Sequence, residues 1–65
     1  MAKETIEKFE ALGEIHKAFV IEAAHAPKEQ LWVSMCRVYN LPSEHCPELR
    51  TYILATYNAD GSRRS

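Results

Sequence analysis

The chain has 65 residues, 46% of them apolar and 26% charged, which fits one small globular domain and excludes a disordered segment. Eight basic residues against nine acidic ones leave a net charge of −1, so no overall field draws in a polyanion and nucleic-acid binding would need a local patch. Two cysteines are too few for a disulfide-stapled miniprotein, MAKETIEKFE lacks the apolar core of a secretory signal, and the longest strongly apolar window, 18–26, is far short of the ~20 residues of a membrane span. The composition therefore predicts a soluble chain in a reduced, cytoplasmic setting, with no membrane partner.

Over 3–25 there is no proline and a single glycine, Gly13, while Ala, Glu, Lys, Ile and Phe dominate. This predicts one long helix, about 33 Å at 1.5 Å per residue. Phe9, Leu12, His16, Phe19, Ala23 and Ala26 recur at steps of three and four, with Ala11, Ile15 and Ala18 as a second stripe beside them. Gly13 costs roughly 1 kcal/mol against alanine inside a helix and marks either a close approach or a weak point. Further along, Phe19, Val20 and Ile21 are consecutive and cannot share one face, so apolar surface wraps most of the circumference. A helix of that kind needs more than one neighbour, and a second copy of the chain is the nearest source. Phe9, Leu12, His16, Phe19, Val20 and Ile21 are accordingly expected at the self-association surface of an isologous homodimer. A histidine at such a contact would also tune association with pH.

Pro27 ends the first helix and fits the opening turn of a second, over 27–40, with Glu29 placed to support its N-terminal dipole. Leu31, Met35 and Val38 form one apolar stripe and Trp32, Cys36 and Tyr39 the adjacent one; Gln30, Ser34 and Arg37 form a polar line. The stretch NLPSEHCPEL then interrupts the pattern: Pro42 blocks continuation of the second helix, 40–46 is a rigid connector, and Pro47 starts a third helix over 47–58. Asn58 through Gly61 supply its stop, with Gly61 suited to a positive φ. The expected architecture is all-α: three helices in a single domain over 1–61 and a mobile tail over 62–65.

Three chemistries are candidates on these residues. A helix-turn-helix reading has Asn40 in the turn and Ser43 opening a recognition helix. Pro47 falls at the fourth position of that helix, and the base-reading candidates Glu44, His45 and Glu48 include two acids. Cys36, His45 and Cys46, with His16 and His25, have none of the spacings of a zinc site. An activated thiol at Cys46 beside His45 needs a pocket that so short a helical chain rarely encloses. No catalytic, cofactor-binding or metal-binding residue is therefore assigned, and no cofactor is expected.

What remains is a non-catalytic interaction protein: a stoichiometric regulator, inhibitor or adaptor of a protein target, with small helix-turn-helix-like DNA binding as the alternative. Tyrosine and tryptophan combine large area with a polar handle, and arginine pairs readily, so Trp32, Arg37, Tyr39, His45, Arg50 and Tyr52 are the expected partner-binding residues.

Overall fold

A computed structural model of the chain describes residues 3–64. It is all-helical in its regular elements: α1 Lys3–Glu10, α2 Glu14–His25, α3 Glu29–Val38 and α4 Cys46–Thr56, with a single 3-10 turn, Ser43–His45, before α4. Four helices thus replace the three expected. The correction lies in the first, where 3–25 is two helices broken at Gly13.

The break has a physical reason. A straight helix of about 33 Å would overrun a molecule whose longest extent is 28 Å. Gly13 is the residue that leaves a helix most cheaply, because it has no side chain to pack and the most backbone freedom to retain. After a tight last turn in which the Leu12 amide donates to the Phe9 carbonyl, Gly13 adopts extended backbone (φ −61°, ψ 155°). Its own carbonyl accepts the first bond of α2 from the Lys17 amide, at 2.8 Å. Folding there lets Phe9 enter the core fully, edge-on to Tyr57 with ring centroids 5.9 Å apart.

Around α4, whose Leu49 and Ile53 are wholly buried, the core gathers Phe9 from α1, Val20, Ile21, Ala23 and Ala24 from α2, and Trp32 and Cys36 from α3. The consecutive pair Val20 and Ile21 and the pair Ala23 and Ala24 are all inside, so α2 is covered on two sides by α3 and α4 of its own chain. The extra cover assigned to a second copy is supplied from within.

The ends of the helices are closed by specific groups. At the C-terminus of α2, Arg50 donates from Nε to the Ala24 carbonyl at 3.0 Å and from Nη2 to the Ala26 carbonyl at 2.9 Å. A cation thereby satisfies carbonyls that have no helical partner, at the negative end of the dipole. At the C-terminus of α3, Asn40 takes φ +56°, and the amides of Asn40 and Leu41 donate back to the carbonyls of Arg37 and Cys36. This is a Schellman turn, with asparagine standing where glycine is commonest.

The connector 40–46 is tighter than a plain loop. The Pro42 carbonyl accepts from the His45 amide at 3.0 Å and from the Cys46 thiol at 3.2 Å, and Pro47 lies in the first turn of α4. After α4 the chain turns at 58–61, with Gly61 at φ +93°, and runs back so that the Arg64 amide donates to the Thr56 carbonyl at 2.9 Å and residues 57 and 63 form a bridge. Residues 62–64 of the expected tail are thus folded against the end of α4. Ser65 lies outside the described residues, as do residues 1 and 2 of the expected domain.

Candidate interaction surface

Two polar and two apolar features distinguish the surface from a bland helical globule. The first is centred on Glu10, the last residue of α1. Its carboxylate accepts hydrogen bonds from the Tyr52 hydroxyl of α4, from the Tyr57 hydroxyl at 2.8 and 3.0 Å, and from Lys17 of α2 at 2.7 Å, while Arg63 stands 3.8 Å away. Partial burial works to raise the Glu10 pKa, but the bonds from Lys17, Tyr52 and Tyr57 outweigh it and bring it from the ordinary 4.5 to about 2. The bond to Glu10 correspondingly raises both Lys17, against the opposing effect of burial, and Tyr52. A general acid or base needs a pKa near the working pH. Glu10 is instead a fixed anion, and its chemistry is that of a clasp tying α1, α2, α4 and the returning C-terminal segment.

The second polar feature is His16 at the start of α2, whose Nδ1 lies 2.9 Å from the Tyr39 hydroxyl, the rings meeting edge-on at 5.5 Å. This contact spans α2 and α3 in their antiparallel register: the first turn of α2 lies beside the end of α3.

That register decides which apolar side chains share a face. On α3, Trp32 and Cys36 point inward, and the flank carrying Val33 and Arg37 faces a cavity of about 410 Å³ beside the 40–46 connector. At 100° per residue, Leu31, Met35 and Val38 occupy the opposite flank, along the outer edge of the seam with α2. On α2, Ala23 and His16 lie toward α3, and Phe19 and Ile15 are the next positions outward on the same side. The two lips of the seam are therefore apolar: Ile15 is 70% exposed, Phe19 49%, Leu31 46% and Val38 71%, with Met35 half-buried between them. Glu14 and Glu22 on α2 and Lys28 and Ser34 on α3 are exposed around this strip and give it a polar rim. Scattered single apolar residues on a surface are ordinary, but a contiguous strip rimmed by polar groups is the pattern of a contact surface.

Of the residues assigned to self-association, Phe9, Val20 and Ile21 are buried in the chain's own core and present nothing to a mate; Leu12 is half-buried against that core. His16 and Phe19 are at the surface, both on the α2 lip. Among the residues assigned to a partner, Trp32 is buried and donates from Nε1 to the Cys46 carbonyl at 3.2 Å, Arg50 caps α2 and Tyr52 is bound to Glu10. Tyr39 borders the apolar strip through His16, Arg37 is exposed at the connector cavity, and half-buried His45 has Nδ1 3.8 Å from Glu48. The assigned set is thus dispersed rather than gathered.

Sequence reasoning passed over Ile15, Leu31, Met35 and Val38. The signal was present, since Leu31, Met35 and Val38 form a stripe of helical period, but so do Trp32, Cys36 and Tyr39. Periodicity alone does not say which stripe faces in.

The elements of the helix-turn-helix alternative are also placed. Ser43 opens a single 3-10 turn rather than a helix, α4 begins at Cys46, Glu44 and Glu48 are exposed at its entrance, and Arg50 is held by α2. Among the described residues, no three His, Cys, Asp or Glu side chains converge as a metal site would require. No described helix is long and apolar enough to cross a membrane. Comparison with protein-family models, curated proteins and solved structures finds no match for this chain.

Proposed function

We propose that this protein is a non-catalytic helical interaction module that acts by stoichiometric binding, with the outer seam of α2 and α3 as its contact surface. The observation that carries the reading is the exposed strip of Ile15, Phe19, Leu31 and Val38, four of the six large apolar side chains exposed among the described residues, the other two being Val33 and Leu54. A regulator, inhibitor or adaptor needs only such a shaped apolar surface and a polar rim, and the strip supplies both.

A second copy of the chain is the first occupant of this face. Each copy presents two parallel apolar lips to either side of one seam, and such a surface is self-complementary about a two-fold axis, as an isologous contact requires. The proposed dimer keeps His16 and Phe19 from the original expectation and replaces the core residues Phe9, Val20 and Ile21 with Ile15, Leu31, Met35 and Val38. His16 then sits at the edge of the contact, where its bond to Tyr39 holds the two lips in register.

The test compares the wild type with Phe19→Asp/Val38→Asp, which places a charge on each lip without touching the core. Light scattering across a concentration series should show the wild type growing toward a dimer and the double variant remaining monomeric, both with the same helical circular dichroism. A wild type that stays monomeric throughout, or a double variant that associates as fully as the wild type, would overturn the proposal.

A further inference from the structure

We propose that Cys36 and Cys46 are a redox pair, closing reversibly into an intramolecular disulfide that latches the end of α3 to the start of α4. The inference is independent of the contact surface, for it concerns the opposite flank of α3.

Both thiols are free and buried, at 2% and 5% exposure, and they come from different elements. The Schellman turn at Asn40 and the 3-10 turn after Pro42 fold the connector back on itself, and this brings the third residue from the end of α3 beside the first residue of α4. Both side chains line one cavity, and the Cys46 thiol donates to the Pro42 carbonyl at 3.2 Å.

Access is built in. Both cysteines line the cavity of about 410 Å³, and that cavity reaches solvent between Arg37, Asn40 and Ser43, all exposed. Arg37 is the charged group of its lining. Burial, with Cys46 beside it, pushes the Cys36 thiol well above its ordinary range. Cys36 therefore holds its proton, and the proposed order has Cys46 attack first.

The oxidant class is a small peroxide, which fits the cavity. The Cys46 thiolate attacks one peroxide oxygen, the O–O bond breaks, and Cys46 becomes a sulfenic acid as the other oxygen leaves as hydroxide and takes up a proton. Cys36 sulfur then displaces the sulfenic oxygen, the S–S bond forms, and that oxygen departs with the Cys36 proton as water. For hydrogen peroxide the sum is two thiols and one peroxide giving one disulfide and two waters; a dithiol reverses it.

The experiment treats the reduced full chain with equimolar hydrogen peroxide. Expected are a mass loss of about 2 Da, two hydrogens, a non-reduced digest linking the Cys36 and Cys46 peptides within one chain, and loss of both thiols to a thiol reagent, all restored by dithiothreitol. Trp32, the single tryptophan, hydrogen-bonds the Cys46 carbonyl, so its fluorescence should shift with the bridge and return on reduction. Cys36→Ser should stop at a Cys46 sulfenic acid that a dimedone probe traps. Thiols that stay unreactive until the wild type is unfolded, or oxidation that yields only links between chains or sulfinic and sulfonic acids, would overturn the proposal. The wild-type measurements decide this even if the serine variant fails to fold.

Discussion

Phe9 and Phe19 are the same residue in consecutive helices of one short chain, and they have opposite surroundings. Phe9 is fully buried, edge-on to Tyr57 and beneath the Lys17 ammonium, beside a carboxylate whose bonds tie four segments together. Phe19 is about half exposed on an apolar strip that nothing in the chain covers. The contrast teaches that exposure is uneven: the core is closed around α4 and Glu10, while four of the six large apolar residues exposed among the described residues, all but Val33 and Leu54, lie along the outer α2–α3 seam.

The most severe way to test that contrast is to make the same substitution at both positions. Phe9→Ala should cost about 3–5 kcal/mol through lost burial and a cavity against Tyr57. That is enough to leave so small a domain largely unfolded. Phe19→Ala, measured by urea denaturation at concentrations too low for association, should stay within about 1 kcal/mol of wild type. Equal losses at the two sites would dissolve the distinction.

A smaller effect is expected from Glu10→Gln, which keeps the shape but removes the anion that Lys17, Tyr52 and Tyr57 hold. The expected loss is about 2 kcal/mol, in the range for charge-assisted hydrogen bonds that are partly exposed. Its pH dependence follows from the depressed pKa. In the unfolded chain Glu10 titrates near 4.5 and in the folded chain near 2, so the folded state binds its proton less readily. The stabilisation is fully present above about pH 4.5 and is lost as the pH falls through 2. Denaturation curves at pH 6, 4 and 2.5 should show the gap between wild type and Glu10→Gln narrowing on acidification. A constant gap would remove the clasp from the account.

Arg50→Met should cost about 1.5 kcal/mol, since it strips two charge-assisted bonds from the carboxyl end of α2 while keeping the aliphatic stem. Amide exchange should quicken first at 23–26, where the cap acts. Gly13→Ala is the mildest change. A Cβ there meets only the His16 ring at 3.7 Å, an ordinary contact, and the backbone angles suit alanine. A shift of no more than about 0.5 kcal/mol is expected, with the break between α1 and α2 intact because Phe9 and Glu10 hold it. Fusion into one helix would show as a gain in ellipticity.

These contrasts also define what the sequence makes legible. The helical class, the stop at Pro27, the connector 40–46 and the positive φ at Gly61 follow from residue chemistry that acts locally. The kink at Gly13 is local in means but not in cause: a glycine permits a break, and it is the pull of Phe9 toward Tyr57 and of Glu10 toward Tyr52, both more than forty positions apart in the chain, that makes one. The exposed apolar strip was the least legible part. Val20 and Ile21 look like surplus apolar groups along the chain and are buried by α3 and α4, while Leu31 and Val38 look like core and are exposed. Arg50 and Tyr52, chosen for their general aptitude for binding partners, found partners inside the molecule. Which of two equivalent stripes faces inward is settled by tertiary packing, here by the burial of Trp32 and Cys36 in the core shared with α2 and α4, and no local pattern encodes it.

The central claim is that the open seam is where the chain meets a partner, beginning with its own second copy. Sedimentation velocity over a micromolar to millimolar series, run on the wild type and on Phe19→Asp/Val38→Asp, tests it most directly. The account predicts a wild-type sedimentation coefficient that rises with concentration toward the dimer value and a variant that remains at the monomer value with unchanged helicity. A concentration-independent monomer for the wild type, or a variant that associates as fully as the wild type, would contradict it.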